Sequence, residues 1–426
     1  MSYTKVVIVG GGFGGLNVAK GLKKTKLDLL VIDKTNHHLF QPLLYQVATA
    51  ALSPGEIATP IREILRHQEN TSVIMGEAVS IDKKARLVTL ANGDSVSYDY
   101  LVIGTGSRHS YFGNDLWENF APGLKTVSDA LKIREQILIS FEKAERVDSI
   151  STAEKYLNFV IIGGGPTGVE MAGAIAEIAH KTLFKNFRLI KPEKSKIFLV
   201  EALPFILPTY PQKLSLRAKK DLEEMGVRVL TSTKVTAIDG EGVTLEGSFI
   251  PCNNIIWAAG NQASPLLKTL DVPLDRAGRV IVGPDLTIPD HPEIFVIGDA
   301  TCSLGKDGKP LPGIATTAIQ QAHYVAKILR SETPKEKRVP FKYFDKGSMA
   351  AIGTSKAVVS IRKLNFGGFL AWFVWCFIHI IYLIGFRSRF GVMVEWFYCF
   401  VTGQRGVRLI YHSIDQTLPK NPQEPV

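Results

Sequence analysis

Cysteine is scarce in this 426-residue chain. There are four, Cys252, Cys302, Cys376 and Cys399, and none precedes residue 252. No two stand in a CxxC or CxxH arrangement, so neither a zinc site nor a disulfide framework is indicated. The usage suits a reducing cytoplasm. Acid is outnumbered: 50 Lys and Arg against 40 Asp and Glu give a net charge of +10. No block of Lys and Arg accompanies that excess, which argues against nucleic acid and leaves an anionic membrane or acidic ligand. The acids are not spaced for calcium either, since "GKDGKP" lacks an EF-hand pattern, and we expect no metal. We expect no signal peptide, because "KVVIV" already reads as a buried strand from Lys5. Charge is also missing from "GGFLAWFVWCFIHIIYLIGF", residues 367–386, in a chain that otherwise has globular composition.

The first strand runs into "GGGFGG", residues 10–15. Gly10, Gly12 and Gly15 have the G-x-G-x-x-G spacing. The first glycine permits a tight turn, the second admits a pyrophosphate, and the third lets the next helix pack closely. The helix N-terminus offers free N–H groups to phosphate. A second strand, "LDLLVID", ends at Asp33, where an acid can accept from ribose hydroxyls. One such loop is weak evidence, but the pattern returns. "LNFVIIGGGPTGVEMAGAIAEIA", residues 157–179, holds Gly163, Gly165 and Gly168, and "KIFLVE" ends at Glu201. The polar stretch between them, "KTLFKNFRLIKPEKSK", reads as an inserted loop. We read one site for FAD and one for a nicotinamide dinucleotide. A carboxylate at Glu201 favours the free 2′-hydroxyl of NADH over the 2′-phosphate of NADPH.

Three further strands end in small residues: "YDYLVIGTGS" (98–107), "NIIWAAG" (254–260) and "EIFVIGDAT" (293–301). The first two return the chain between domains close to a cofactor, at Gly106 and Gly260. The third presents Asp299, either to a ribitol hydroxyl of FAD or as a helix cap.

These stretches, with "HHLFQPLLYQVATAAL" (37–52), "LPGIATTAIQQAHYVA" (311–326) and the tail "GFLAWFVWCFIHIIYLIGFRSR", resemble the type II NADH dehydrogenases, single-subunit NADH:quinone oxidoreductases that pump no protons. The resemblance covers nearly the whole chain. It implies an α/β fold of two Rossmann-like domains, with a discontinuous FAD domain (1–115 and 265–340), an inserted NADH domain (116–264) and a C-terminal membrane-anchoring region (341–426). It implies hydride transfer from NADH to FAD N5, then two electrons to a membrane menaquinone or ubiquinone. Expected at the FAD site are Gly10, Gly12, Phe13, Gly14, Gly15, Asp33, Lys34, Gly106, Asp299 and Ala318. Expected at the NADH site are Gly163, Gly165, Thr167, Gly168, Glu201 and Gly260. Glu170, read in the first helical turn, matches an acid proposed in the family to assist proton movement; an acid favoured by the helix dipole is the other reading. The family pattern A-Q-x-A-x-Q appears here as "ATTAIQ", with Thr316 in place of the first Gln and Gln320 kept. That departure bears on quinone preference, and Gln320 could equally be a surface residue.

The tail reads as two amphipathic helices lying in one leaflet, although twenty residues could span a bilayer. In the first, Asn365, Gly368, Trp372, Trp375, His379 and Tyr382 form a stripe suited to the membrane–water interface, and Leu370, Phe373, Phe377, Ile380 and Ile384 an apolar face. In the second, Glu395, Tyr398, Thr402 and Arg405 form a polar stripe opposite Met393, Phe397 and Phe400. Arg362, Lys363, Arg387 and Arg389 flank the first run and suit an anionic lipid surface. The expected place is the cytoplasmic face of the inner membrane, and a homodimer is allowed for. A disulfide reductase or a sulfide:quinone oxidoreductase would need thiols at the flavin; a non-catalytic redox sensor would not.

Overall fold

The computed structural model describes residues 3–147 and 149–411. The principal elements of the first half are β1 (Thr4–Val9), α1 (Phe13–Gly21), β2 (Leu27–Asp33), α2 (Leu44–Ala48), β3 (Thr71–Met75), β4 (Tyr100–Ile103) and α3 (Val127–Arg146). Then come β5 (Asn158–Ile162), α4 (Pro166–Glu177), β6 (Lys196–Val200), β7 (Val227–Leu230), β8 (Asn254–Trp257), β9 (His291–Val296) and α5 (Ala315–Arg330). The chain ends in β10 (Ser348–Ile352), β11 (Lys356–Ile361), β12 (Leu364–Gly368), α6 (Phe369–Tyr382) and α7 (Phe386–Thr402). They fall into two compact units. One comprises Met1–Leu39, Ala58–Arg108 and Asn261–Lys346; the other comprises Phe40–Ile57, His109–Gly260 and Gly347–Val426.

The first unit is built on a parallel sheet in the order β9-β4-β1-β2-β3, edged by the antiparallel pair Thr287–Ile288. Central β1 is covered on both faces, so its run of Val6, Val7 and Ile8 is apolar without alternation and wholly buried. Helix α5 packs on α1, and a Cβ on Gly21 would lie 2.7 Å from the Ala326 Cβ. The second unit repeats the plan with a parallel sheet ordered β7-β6-β5-β8. The stretch between α4 and β6 is an insertion of short helical turns and loop, as its polar composition predicts.

The antiparallel sheet β10-β11-β12 lies against α4, closely enough that a Cβ on Gly173 would stand 3.0 Å from the Gly353 nitrogen. It leads into α6. The helical stripe expected from the sequence begins at Asn365 and Gly368, but Leu364–Gly368 is strand. Gly368 breaks the chain at φ +96°, and Gly385 at +86° separates α6 from α7. At 14 residues, α6 spans about 21 Å. No helix among the described residues is long and apolar enough to cross a membrane.

One of the two faces expected of α6 lies elsewhere, while its apolar face is exposed as the pattern predicts. Trp375 and His379, read as interfacial, are buried inward, His379 edge-on to Phe40. The apolar Leu370, Phe373 and Phe377 are exposed. In α7, Met393, Phe397 and Phe400 are exposed as the pattern predicts. Arg405, however, is no part of a helical stripe: Gly403, at φ +68°, ends the helix, and Arg405 turns into the core. Residues 412–426 of the predicted anchoring region lie outside the described residues.

Candidate active site and cofactor cradles

Two turns of the same design sit at the ends of β1 and β5. Gly10 has φ +106°, and a Cβ there would fall 2.3 Å from the Gly104 carbonyl oxygen. A Cβ on Gly15 would fall 1.8 Å from the Gly10 oxygen. Between them Gly12 faces open space at the N-cap of α1, whose first turn has neither an acid nor a capping side chain. Phe13 and Gly14 begin the helix; Phe13 is edge-on to the His38 ring, and a Cβ on Gly14 would strike Ile297. An uncapped helix N-terminus behind an open glycine is what a pyrophosphate requires.

Asp33 closes the turn. One carboxylate oxygen accepts from the Gly11 N–H at 2.6 Å, the other from the Thr35 N–H and hydroxyl. A carboxylate has lone pairs to spare for a ribose. Lys34, next to it, is exposed. Gly106 has φ +69° and open space beside it. Asp299 accepts from the Ser107 hydroxyl at 2.8 Å, so it holds a neighbouring loop rather than capping a helix. Ala318 lies where a Cβ on Gly298 would approach it to 3.3 Å.

The buried polar atoms of the first unit that have no protein partner include His38 Nε2, Thr105 Oγ1, Thr316 Oγ1, Thr317 Oγ1 and Gln321 Nε2. These belong to segments around the Gly10–Gly15 turn. His38 Nδ1 bonds the Gly11 oxygen, and Gln321 Oε1 accepts from the Gly298 N–H. Burial lowers the His38 pKa, which keeps its ring neutral. Buried groups left unpaired are costly, so a polar ligand belongs here. The residues fit FAD. The sequence reading missed His38, Thr105, Thr317 and Gln321; all lie within stretches it had singled out, but burial is what distinguishes them.

The second cradle repeats each feature. Gly163 has φ +111°, and a Cβ there would stand 2.8 Å from the Ala258 oxygen. A Cβ on Gly168 would fall 1.8 Å from the Gly163 oxygen, while Gly165 faces open space as the N-cap of α4. Thr167 is half-buried in the first turn. Glu201 accepts from the Gly164 N–H at 2.6 Å and the Leu203 N–H at 2.8 Å. Gly260, at φ +69°, passes so close to Phe112 that a Cβ would meet its ring at 2.6 Å. The same glycines and the same acid fit a second dinucleotide.

Glu170 is the fifth residue of α4, not in its first turn, which carries no acid. The dipole reading therefore fails. Its carboxyl is buried and accepts from the Ala351 N–H at 3.2 Å. Burial pushes its pKa up to about 8; the Ala351 bond opposes this, as does the nearby Trp375 indole, which closes no hydrogen bond. Tyr45 and Tyr210 are pushed up by their own burial and then by the charge of Glu170. Tyr45 accepts from Gln46 at 3.0 Å, and Gln46 accepts from the Trp396 indole of α7 at 2.6 Å.

Thr316 and Gln320 sit one turn apart on α5, in the first unit. The Gln320 amide is zipped to the Phe344 backbone, donating to its oxygen and accepting from its N–H, both at 3.0 Å. It is therefore not a plain surface glutamine. Thr316 keeps a buried, unpartnered hydroxyl.

Two glycine-turn cradles of one design, each closed by an acid, define a protein that binds two dinucleotides. Residues 4–322 match the pyridine nucleotide-disulphide oxidoreductase family and residues 346–405 the NDH2 C-terminal domain. The chain is 44 % identical over 437 aligned residues to the Type II NADH:quinone oxidoreductase NdhA of Mycobacterium tuberculosis, covering 97 % of this chain and 92 % of that protein. It belongs to the type II NADH:quinone oxidoreductase family. The fold agrees with NDH2 from Plasmodium falciparum, solved in complex with NADH: TM-score 0.87 at 21 % identity, over 95 % of this chain and all of that one. Sulfide:quinone oxidoreductase from Aquifex aeolicus aligns less well, with TM-score 0.70 at 20 % identity over 96 % of each chain. Thiol chemistry is disfavoured: no cysteine precedes residue 252, and burial raises the pKa of Cys302.

Proposed function

We propose that this chain oxidises NADH and reduces a membrane quinone, with FAD held by Gly10, Gly12, Phe13, Gly14, Gly15, Asp33, Lys34, Gly106, Asp299 and Ala318. When bound, FAD supplies the hydride acceptor and the two-electron donor. The domain limits that go with this are 1–115 and 265–340 for FAD, 116–264 for NADH and 341–426 for the membrane.

The α4 N-terminus, through Gly165, Thr167 and Gly168, neutralises the NADH pyrophosphate. Glu201 accepts from its ribose, and Gly260 lets the cofactor approach the backbone. The overall change, NADH + H⁺ + quinone → NAD⁺ + quinol, takes one proton from water. Glu170 is suited to pass it on, because a carboxyl with a pKa near 8 is protonated at neutral pH yet able to give its proton up. Thr316 offers its free hydroxyl to a quinone carbonyl, and Gln320 fixes that end of α5. The observation that carries the reading is the duplicated cradle together with one buried, neutral acid.

The exposed apolar faces of α6 and α7 fit a lipid surface, where quinones dissolve. Anionic lipid, the cytoplasmic face of the inner membrane and a homodimer belong to the same proposal. Its test is NADH consumption by the purified enzyme with ubiquinone or menaquinone in vesicles. One NADH oxidised per quinone reduced is expected. NADH oxidation that no quinone accelerates would refute it.

A further inference from the structure

Between α4 and β6, residues 178–192 contain Lys181, Lys185, Arg188 and Lys191 and not one Asp or Glu. Single exposed apolar side chains are ordinary on a protein surface, but two large ones set among four cations are less so. Here Leu189 is 81 % exposed and Phe184 49 %. The display does not follow from slackness. Glu145 of α3 accepts from three consecutive backbone N–H groups, those of Arg188, Leu189 and Ile190, at 2.7 to 3.0 Å. Phe187 is drawn inward onto Phe141, and the Arg188 guanidinium bonds the Lys185 oxygen at 2.9 Å. The loop is strapped so that Phe187 is partly covered and Phe184 and Leu189 are not. The Lys185 ammonium sits 5.2 Å from the Phe184 ring centroid, so charge and apolar surface share one patch.

The loop is tied to the tail within the same unit. The Thr182 hydroxyl donates to the Gly403 oxygen at 3.1 Å, at the point where α7 ends. Arg405, just beyond, pairs with Glu177 at the end of α4.

We propose that residues 181–191 form a second membrane contact, with Phe184 and Leu189 entering the headgroup layer and Lys181, Lys185, Arg188 and Lys191 binding anionic lipid headgroups. This rests on the reading that α6 and α7 lie on a bilayer. The occupant is a lipid surface because the loop sets four cations, against the single carboxylate of Glu145, beside apolar tips, and because it adjoins the end of the exposed apolar helix. Cationic residues close to an anionic leaflet and shallow apolar insertion both add affinity.

The test uses full-length FAD-loaded enzyme and flotation with phosphatidylcholine vesicles, with or without phosphatidylglycerol. The variant Phe184→Ser/Leu189→Ser should bind phosphatidylglycerol vesicles about tenfold more weakly, with NADH-driven ferricyanide reduction unchanged. Lys185→Gln/Arg188→Gln should weaken binding only where phosphatidylglycerol is present. A polarity-sensitive dye on Leu189→Cys should shift to the blue when those vesicles are added. Wild-type binding by both double variants, or a dye that ignores the vesicles, overturns the proposal. A shift that depends on protein concentration alone assigns the loop to a contact between copies and overturns it too. Failure of the wild type to bind any vesicle defeats the underlying membrane reading and the loop contact with it. Wild-type binding that survives deletion of residues 364–426 defeats only the reading of α6 and α7 as the anchor.

Discussion

Arg405 and Glu177 face each other at 3.0 Å, and both are buried. Each has further partners. Arg405 donates to the Thr49 oxygen at 2.6 Å, and Glu177 accepts from the Thr354 N–H and hydroxyl at 2.8 Å. Arg405→Met would leave a buried carboxylate without its counter-charge. We expect a loss of about 3–5 kcal/mol of stability. Thermal denaturation followed by flavin release checks it. An unchanged melting temperature would mean that the pair contributes little.

If Glu170 holds the proton as proposed, stability and turnover should depend on pH in a definite direction. An ordinary glutamate ionises near pH 4.5, and burial raises this one to about 8. Between those values the folded chain holds a proton that the unfolded chain has lost. Stability from this group is therefore greatest below the lower value and falls as pH rises to the upper one. Glu170→Gln should flatten that decline. In turnover, quinone reduction should fall above pH 8 in the wild type, and the variant should lack that limb at a lower overall rate. Matched pH–rate profiles decide it; an identical limb in both would remove Glu170 from the proton path.

On the proposed assignment, Glu201 sets the choice of nicotinamide cofactor. Glu201→Arg deletes the acceptor for the ribose and supplies a cation for a 2′-phosphate. We expect kcat/KM for NADH to fall roughly 10- to 100-fold and that for NADPH to rise. Unchanged preference in steady-state assays would place the adenosine ribose elsewhere.

The two cradles should fail separately. Gly15→Ala drives a methyl into the Gly10 oxygen and should yield protein without flavin colour. Gly168→Ala does the same at Gly163 and should yield yellow protein with a much raised KM for NADH. The ratio of flavin to protein absorbance separates the two outcomes. Flavin loss from the Gly168 variant would contradict the assignment of sites.

Both cradles were legible in the sequence because each is local. Strand, glycines, helix and terminal acid follow within one supersecondary unit, and chain geometry places the acid beside the loop, as Asp33 and Glu201 show. What was not legible depends on distant partners. Glu170 looks like any helix acid until β10 covers it, with Ala351 arriving 181 residues later. The period of α6 separates a stripe of Trp, His and Tyr from a purely apolar face, and it does not say which one turns inward. The sheet β10-β11-β12 and Phe40 decide that, and they bury Trp375 and His379. Arg405 continued a helical stripe on paper, and a single left-handed glycine at position 403 ended it. Thr316 was visible as a departure from the family pattern, whereas its buried, unpartnered hydroxyl depended on the fold.

The most direct test of the central claim is anaerobic stopped-flow absorbance on the purified enzyme, first with NADH and then with a short-chain quinone. The account predicts rapid bleaching of the flavin band by NADH and rapid recovery on adding ubiquinone or menaquinone. Bleaching without recovery by any quinone would contradict the assigned acceptor. No bleaching would contradict the NADH site itself.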